Sequence, residues 1–261
     1  MTTAAAVSEE RRRREHAGLY ARLVTAGVVV TLGAIAILPV AVLTLFQARR
    51  LYAAWASALA RLVLRLLGVR MVVHRDRQWP DTQTVYISNH PSTLDLFMLV
   101  ALGLPNTRFF LAGYLRKFVP LGMLATLMGT FFTVPQEFPE ARVRIFQRAD
   151  RILRRTRESV YLSPEGARVP GGRIGHFNKG SFHLATSLKV PIQPLYFFIP
   201  PDIDPGAGFD IRPGTVHVYL APPIATSTWR IDDVERNRDA VRQLFLDWHR
   251  SIREAHQCPI D

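Results

Sequence analysis

The chain has 261 residues, 48% of them apolar and 21% charged, and carries a formal net charge of +12. Such a chain can bury a sizeable core in one large domain or two small ones, and the composition excludes a disordered chain or a collagen-like repeat. The single cysteine, Cys258, excludes an internal disulfide framework and any multi-cysteine metal site, while the basic surplus, nearly all arginine, points to an anionic partner such as phospholipid headgroups or nucleic acid.

Residues 1–18 form a basic N-terminal segment with the run Arg11-Arg12-Arg13-Arg14. Between Arg22 and Arg49 lie 26 residues without a formal charge. About 20 apolar residues cross a bilayer core, and a secretory signal would be shorter and end in small residues. Residues 19–69 therefore read as a membrane-anchoring helix or helix pair, interrupted near Gly33 and Pro39 because proline removes a helix hydrogen bond. Five arginines before the apolar run and four after it give no orientation under the positive-inside rule. Over 50–68, Leu51, Trp55, Leu59, Leu62 and Leu66 form one predicted apolar stripe and Arg50, Ser57, Arg61 and Arg65 a polar one. That pattern suits either the headgroup boundary or a surface helix packed on the domain that follows.

Residues 70–261 read as one α/β domain, a mixed, mostly parallel sheet covered by helices. Predicted strands are Met71–His74, Thr84–Ser88, Arg108–Ala112, Phe131–Val134, Val160–Ser163, Gln193–Ile199 and Val216–Leu220. Predicted helices are Ser92–Leu102, Leu121–Met128, Pro139–Arg155, Lys179–Leu188 and Asp232–His256. Pro200 to Gly206 is a loop by composition.

The segment Ser88-Asn89-His90-Pro91-Ser92-Thr93-Leu94-Asp95 follows a strand and opens a helix. His90 precedes proline and belongs in the turn, Pro91 suits the first helical position, and Asp95 then looks back at the imidazole. A carboxylate on one ring nitrogen leaves the other free to take a proton from a hydroxyl. The candidate strand Val160–Ser163 leads into Pro164-Glu165-Gly166-Ala167-Arg168, where Gly166 permits close backbone approach and Arg168 offers a planar fork to a phosphate. Phe177 to Phe182 leads into a helix whose exposed amides favour anions. From Arg142 to Arg157 run seven arginines, either a solvated helix face or a docking face for anionic lipid or an acidic acyl carrier protein. His74, His176 and His183 lack metal-ligand spacing.

Together these blocks resemble the glycerolipid acyltransferases typified by 1-acylglycerol-3-phosphate acyltransferase. Asn89, His90 and Asp95 match the family's Asn-His-x4-Asp block. Pro164, Glu165, Gly166 and Arg168 match its Pro-Glu-Gly-Thr-Arg block, with Ala167 in place of threonine. Phe177 to Phe182 and Val190-Pro191-Ile192-x-Pro194 match two further blocks in the same order. The resemblance implies a membrane-bound O-acyltransferase with His90 as base and Asp95 orienting it. Asn89, Glu165, Gly166, Arg168 and Lys179 would contact the acceptor. The expected partners are membrane phospholipid, an acyl-CoA or acyl carrier protein donor and a lysolipid acceptor, with no nucleic acid. No cofactor or metal is expected, because a thioester is already activated. The expected location is the cytoplasmic face of the inner or plasma membrane. One block departs: where the family has an arginine linked to the acceptor's phosphate, this chain has Pro135. An acceptor other than lysophosphatidate, such as an ornithine lipid precursor, stays open on that account, as does a non-catalytic membrane-binding module.

Overall fold

The computed structural model describes residues 2–76, 78–206 and 208–258, with side chains from His16 onward. The side chains of the Arg11 to Arg14 run therefore lie outside the described set.

Seven strands form one sheet in the order β1-β7-β6-β2-β5-β3-β4. They are β1 (Val69–His74), β2 (Val85–Ser88), β3 (Thr107–Ala112), β4 (Phe131–Thr133), β5 (Ser159–Tyr161), β6 (Ile192–Phe198) and β7 (Gly214–Leu220). Strands β6, β2, β5, β3 and β4 run parallel, β7 is antiparallel to β6, and β1 runs with β7. The carboxyl ends of five strands thus share one edge. β2 and β6 are buried at every residue, as expected of strands covered on both faces.

Alternate residues of the central strands feed two cores. Tyr86 and Phe197 face helices α1 (Thr2–Ala36), α2 (Leu38–Leu43), α3 (Arg49–Leu66), α4 (Leu94–Leu102) and α5 (Val119–Leu127). Val85, Ile87 and Phe198 face α6 (Pro139–Thr156), α7 (Gly180–Leu188) and α8 (Val234–Ala255). The N-terminal helices share a core with the sheet, so packing shows no break at residues 69 and 70.

The first helix ends at Ala36 and resumes at Leu38, with Pro39 in the first turn of α2. Proline offers no N–H to the preceding turn, which accounts for the break. The chain then turns and α3 runs back along α1, with the Trp55 Nε1 donating to the Gly33 carbonyl at 2.9 Å. Gly33 makes this approach possible, since a Cβ there would lie 2.5 Å from Leu59 Cδ2. The face of α3 that packs inward differs from the predicted stripe. Tyr52, Ala56, Ala60, Val63 and Leu64 are buried, while Leu51, Trp55 and Leu62 stay 37–47% exposed. The helix is apolar on two sides, so periodicity alone did not identify the side turned toward the sheet. From His16 to Leu43 the helices are long and apolar enough to cross a membrane.

Candidate active site

β2 delivers Ser88 to the edge shared by the five carboxyl ends, and the chain leaves it as Asn89-His90-Pro91. Asn89 is buried, and both ends of its amide are bonded to β6. Its Nδ2 donates to the Phe197 carbonyl at 3.0 Å and its Oδ1 accepts from the Phe197 N–H at 2.8 Å. These bonds clip the His90 loop to the sheet and occupy the amide expected to contact the acceptor.

The His90 Nδ1 lies 2.6 Å from Asp95 Oδ2. Asp95 is the second residue of α4 and is buried, so the helix holds the carboxylate in place. The helix starts later than the sequence suggests: Ser92 Oγ accepts the Leu94 N–H at 2.8 Å, leaving Pro91 in the turn. The same Asp95 oxygen accepts the Ser92 N–H at 3.3 Å. With the Asp95 carboxylate on Nδ1, the proton belongs there and Nε2 is the basic nitrogen. Burial alone would lower the His90 pKa, but the charge and hydrogen bond of Asp95, helped by Glu165, outweigh it and raise the pKa above its ordinary 6.5.

β5 lies beside β2 and ends in Leu162-Ser163-Pro164-Glu165. Glu165 is buried, and its two oxygens are used by the backbone. Oε2 accepts the His90 N–H at 2.6 Å and Oε1 accepts the Gly175 N–H at 2.7 Å. Burial pushes its pKa up to about 7 against the pull of those two donors. Glu165 therefore ties the His90 turn to the loop at Gly175, and the carboxylate expected to contact the acceptor already holds two backbone N–H groups. Gly166 has φ +71°, and a Cβ there would meet the Asn178 amide at 2.9 Å. That amide donates to the carbonyls of Pro164 and Glu165, both at 3.0 Å. The loop closes on His90 through the Val169 N–H, which donates to the His90 carbonyl at 2.9 Å.

Arg168 is exposed at the mouth, and its Nη1 donates to Thr93 Oγ1 at 2.5 Å, joining the two loops. Its charge reaches His90 and opposes protonation there. Lys179 is not brought to the cluster. Its ammonium is paired with Glu235 in the first turn of α8.

One element at the site escaped the sequence reading. Gly206 sits so close to the turn that a Cβ would lie 2.7 Å from the Pro91 carbonyl. Its N–H donates to the buried Asp204 at 2.7 Å, and the Asp204 charge acts on Asp95. Composition marked Pro200 to Gly206 as a loop but carried no signal of where it docks.

Residues 70–197 match the protein family described as Acyltransferase. The chain is 28% identical over 189 residues to a 1-acyl-sn-glycerol-3-phosphate acyltransferase of Limnanthes alba, covering 71% of this chain and 65% of that protein. It is 30% identical over 192 residues to the alpha form of Mus musculus, covering 72% and 66%. The chain thus spans slightly less than two thirds of the length of these relatives. A crystal structure of the 1-acyl-sn-glycerophosphate (LPA) acyltransferase from Thermotoga maritima shares the fold, with a TM-score of 0.61 at 19% identity. That match covers 83% of this chain and 94% of the other.

Proposed function

We propose a reaction for this chain from the premise that it belongs to the acyltransferase family: transfer of a fatty acyl group from a thioester donor to the free hydroxyl of a lysophospholipid, with 1-acylglycerol-3-phosphate as acceptor and phosphatidic acid as product. The observation that carries this reading is the 2.6 Å contact between His90 Nδ1 and Asp95 at the carboxyl edge of the sheet. His90 Nε2 takes the hydroxyl proton as the acceptor oxygen attacks the thioester carbonyl. The new C–O bond forms, the C–S bond breaks, and the proton passes from Nε2 to the departing thiolate. Asp95 stabilises the imidazolium between those steps. Arg168 supplies the cation for the acceptor's phosphate, and Asn89 and Glu165 hold the turn that carries the base. An apolar cavity between α1, α3, α4, α5 and β3, lined by Leu59, Phe97, Val100, Leu111 and Met128, suits an acyl chain. The reading is tested by incubating the purified protein with an acyl thioester and a panel of lysolipids and identifying the product by mass. No ester product from any acceptor would overturn it.

Arg168→Ala is expected to raise the apparent KM for a phosphate-bearing lysolipid about tenfold or more, since a charge-assisted hydrogen bond contributes roughly 1.5–3 kcal/mol. The thioester donor KM should stay near its starting value. Paired measurement of both KM values checks this, and a rise confined to the donor would reassign Arg168.

The anchor we propose lies in one leaflet. α1, α2 and the Ile37 between them bury Ala26, Val30, Ala34, Ile37 and Ala41 against the domain, and α1 exposes Val24, Val28, Leu32 and Ile35 on the opposite side. A helix held to a domain along one stripe can cross a bilayer only by drawing charged parts of that domain in with it. With its outer face in the acyl region and the arginines of α3 at headgroup level, both demands are met. Apolar insertion is not screened by ions, so the protein is expected to stay in the membrane fraction through high-salt and carbonate washes. Release of intact protein by salt alone would contradict the anchor.

A further inference from the structure

The acyl donor is where the α6 arginines acquire a role. Arg144, Arg148, Arg151 and Arg155 are exposed and recur at steps of four, three and four, forming one stripe along the outer face of α6. The stripe is about 16 Å long at the helical rise. Arg144 lies 3.7 Å from Glu140, but among the described residues Arg148, Arg151 and Arg155 meet no carboxylate. Arg154 is used differently, pairing with Asp150 and bonding Ser187 of α7. Exposed Phe138 and Val143 border the stripe at its N-terminal end.

Position decides what this surface faces. The exposed apolar residues of α1, α3 and α5 lie on one side of the sheet, and α6 covers the other. A membrane bound through α1 leaves the α6 stripe turned toward the solvent. The N-terminus of α6 follows β4, so it starts at the same edge as His90. In the loop between them, Gln136 Nε2 lies 3.4 Å from where a Gly166 Cβ would stand. The stripe is convex, whereas small-molecule donors are held in concave sites. A long positive face that starts at the active-site edge, away from the membrane, with three of its four arginines meeting no carboxylate among the described residues, fits a soluble protein with an acidic helix.

We infer that the outer face of α6 docks an acidic acyl carrier protein, which delivers the acyl thioester to the His90 edge on its flexible arm. The inference rests on the thioester transfer proposed above and names the donor's carrier. Complementary charge chiefly sets encounter rate and orientation, so the effect should appear in the donor's KM and its salt dependence.

The experiment compares full-length wild type with the Arg148→Glu, Arg151→Glu double variant in mixed micelles containing lysophosphatidate. The same acyl chain is supplied either on acyl carrier protein or on CoA. Neither residue belongs to the catalytic cluster. The double variant is expected to raise the carrier-donor KM about tenfold or more, with the CoA-donor KM, the acceptor KM and kcat unchanged. Rising salt should erase the wild-type advantage. Equal change with both donors, or no change with either, overturns the inference. So does loss of binding to phosphatidylglycerol vesicles by the double variant, which would turn the stripe toward lipid. Wild type that uses the CoA donor but not the carrier donor sinks the carrier and leaves the reaction standing. Wild type that uses neither sinks the reaction itself.

Discussion

His90→Ala is expected to cut acyl transfer by about 10²–10⁴-fold while the protein stays folded, since a positioned general base typically contributes that much. The imidazole is held by Asp95 at 2.6 Å, and its removal breaks no backbone bond. The anchoring contacts at that residue come from its N–H to Glu165 and its carbonyl to Val169, and alanine keeps both. The fold should therefore survive, with some stability lost because the buried Asp95 loses its imidazole partner, while kcat falls greatly. The pH profile supplies a second readout. The base works only when neutral, and its pKa is raised above 6.5 by the Asp95 carboxylate. Wild-type activity should accordingly fall as pH drops through a value above 6.5. Asp95→Asn removes the carboxylate but leaves the burial, which lowers the pKa, so the acid limb should move downward. Near-normal turnover by folded His90→Ala protein would remove His90 from the mechanism.

The sheet was legible because its strands are short apolar runs bounded by turn residues, and each of the seven predicted runs overlaps an observed strand. His90 and Asp95 were legible for a local reason: strand, turn and helix lie within a few residues, so spacing alone brings them together. The bonds that pattern did not foretell run to partners far along the chain. Asn89 is bonded to Phe197 on the neighbouring strand, and Glu165 to the N–H groups of His90 and Gly175. A polar residue in a motif block reads as a substrate contact until those bonds are seen. Lys179 sits in the expected block, yet the position of Glu235 on α8 decides where its ammonium goes. The side of α3 that is buried depended on where α1 and α4 pack, which no pattern within α3 records.

The role of Glu165 separates two mechanisms, and Glu165→Ala distinguishes them through kcat and KM. Bound to the acceptor, the carboxylate would give a variant with a raised acceptor KM. The geometry assigns it instead to positioning: one oxygen holds the His90 N–H at 2.6 Å, the other the Gly175 N–H at 2.7 Å. Alanine leaves both N–H groups without their partner in a buried place, and each unsatisfied donor costs about 1–3 kcal/mol. The turn can recover by moving outward to water, carrying His90 with it. A shift of about 1 Å in a catalytic group can cost on the order of 10²-fold in rate. The expected result is a fall in kcat of that size, lowered thermal stability, and acceptor and donor KM values close to wild type. Glu165→Gln should rescue little. Its amide oxygen can accept one N–H, but its NH₂ then faces the other N–H, donor against donor. A stable Glu165→Ala protein with normal kcat and a raised acceptor KM would return Glu165 to the substrate and leave the His90 turn to be held by Asn89 and the Val169 N–H.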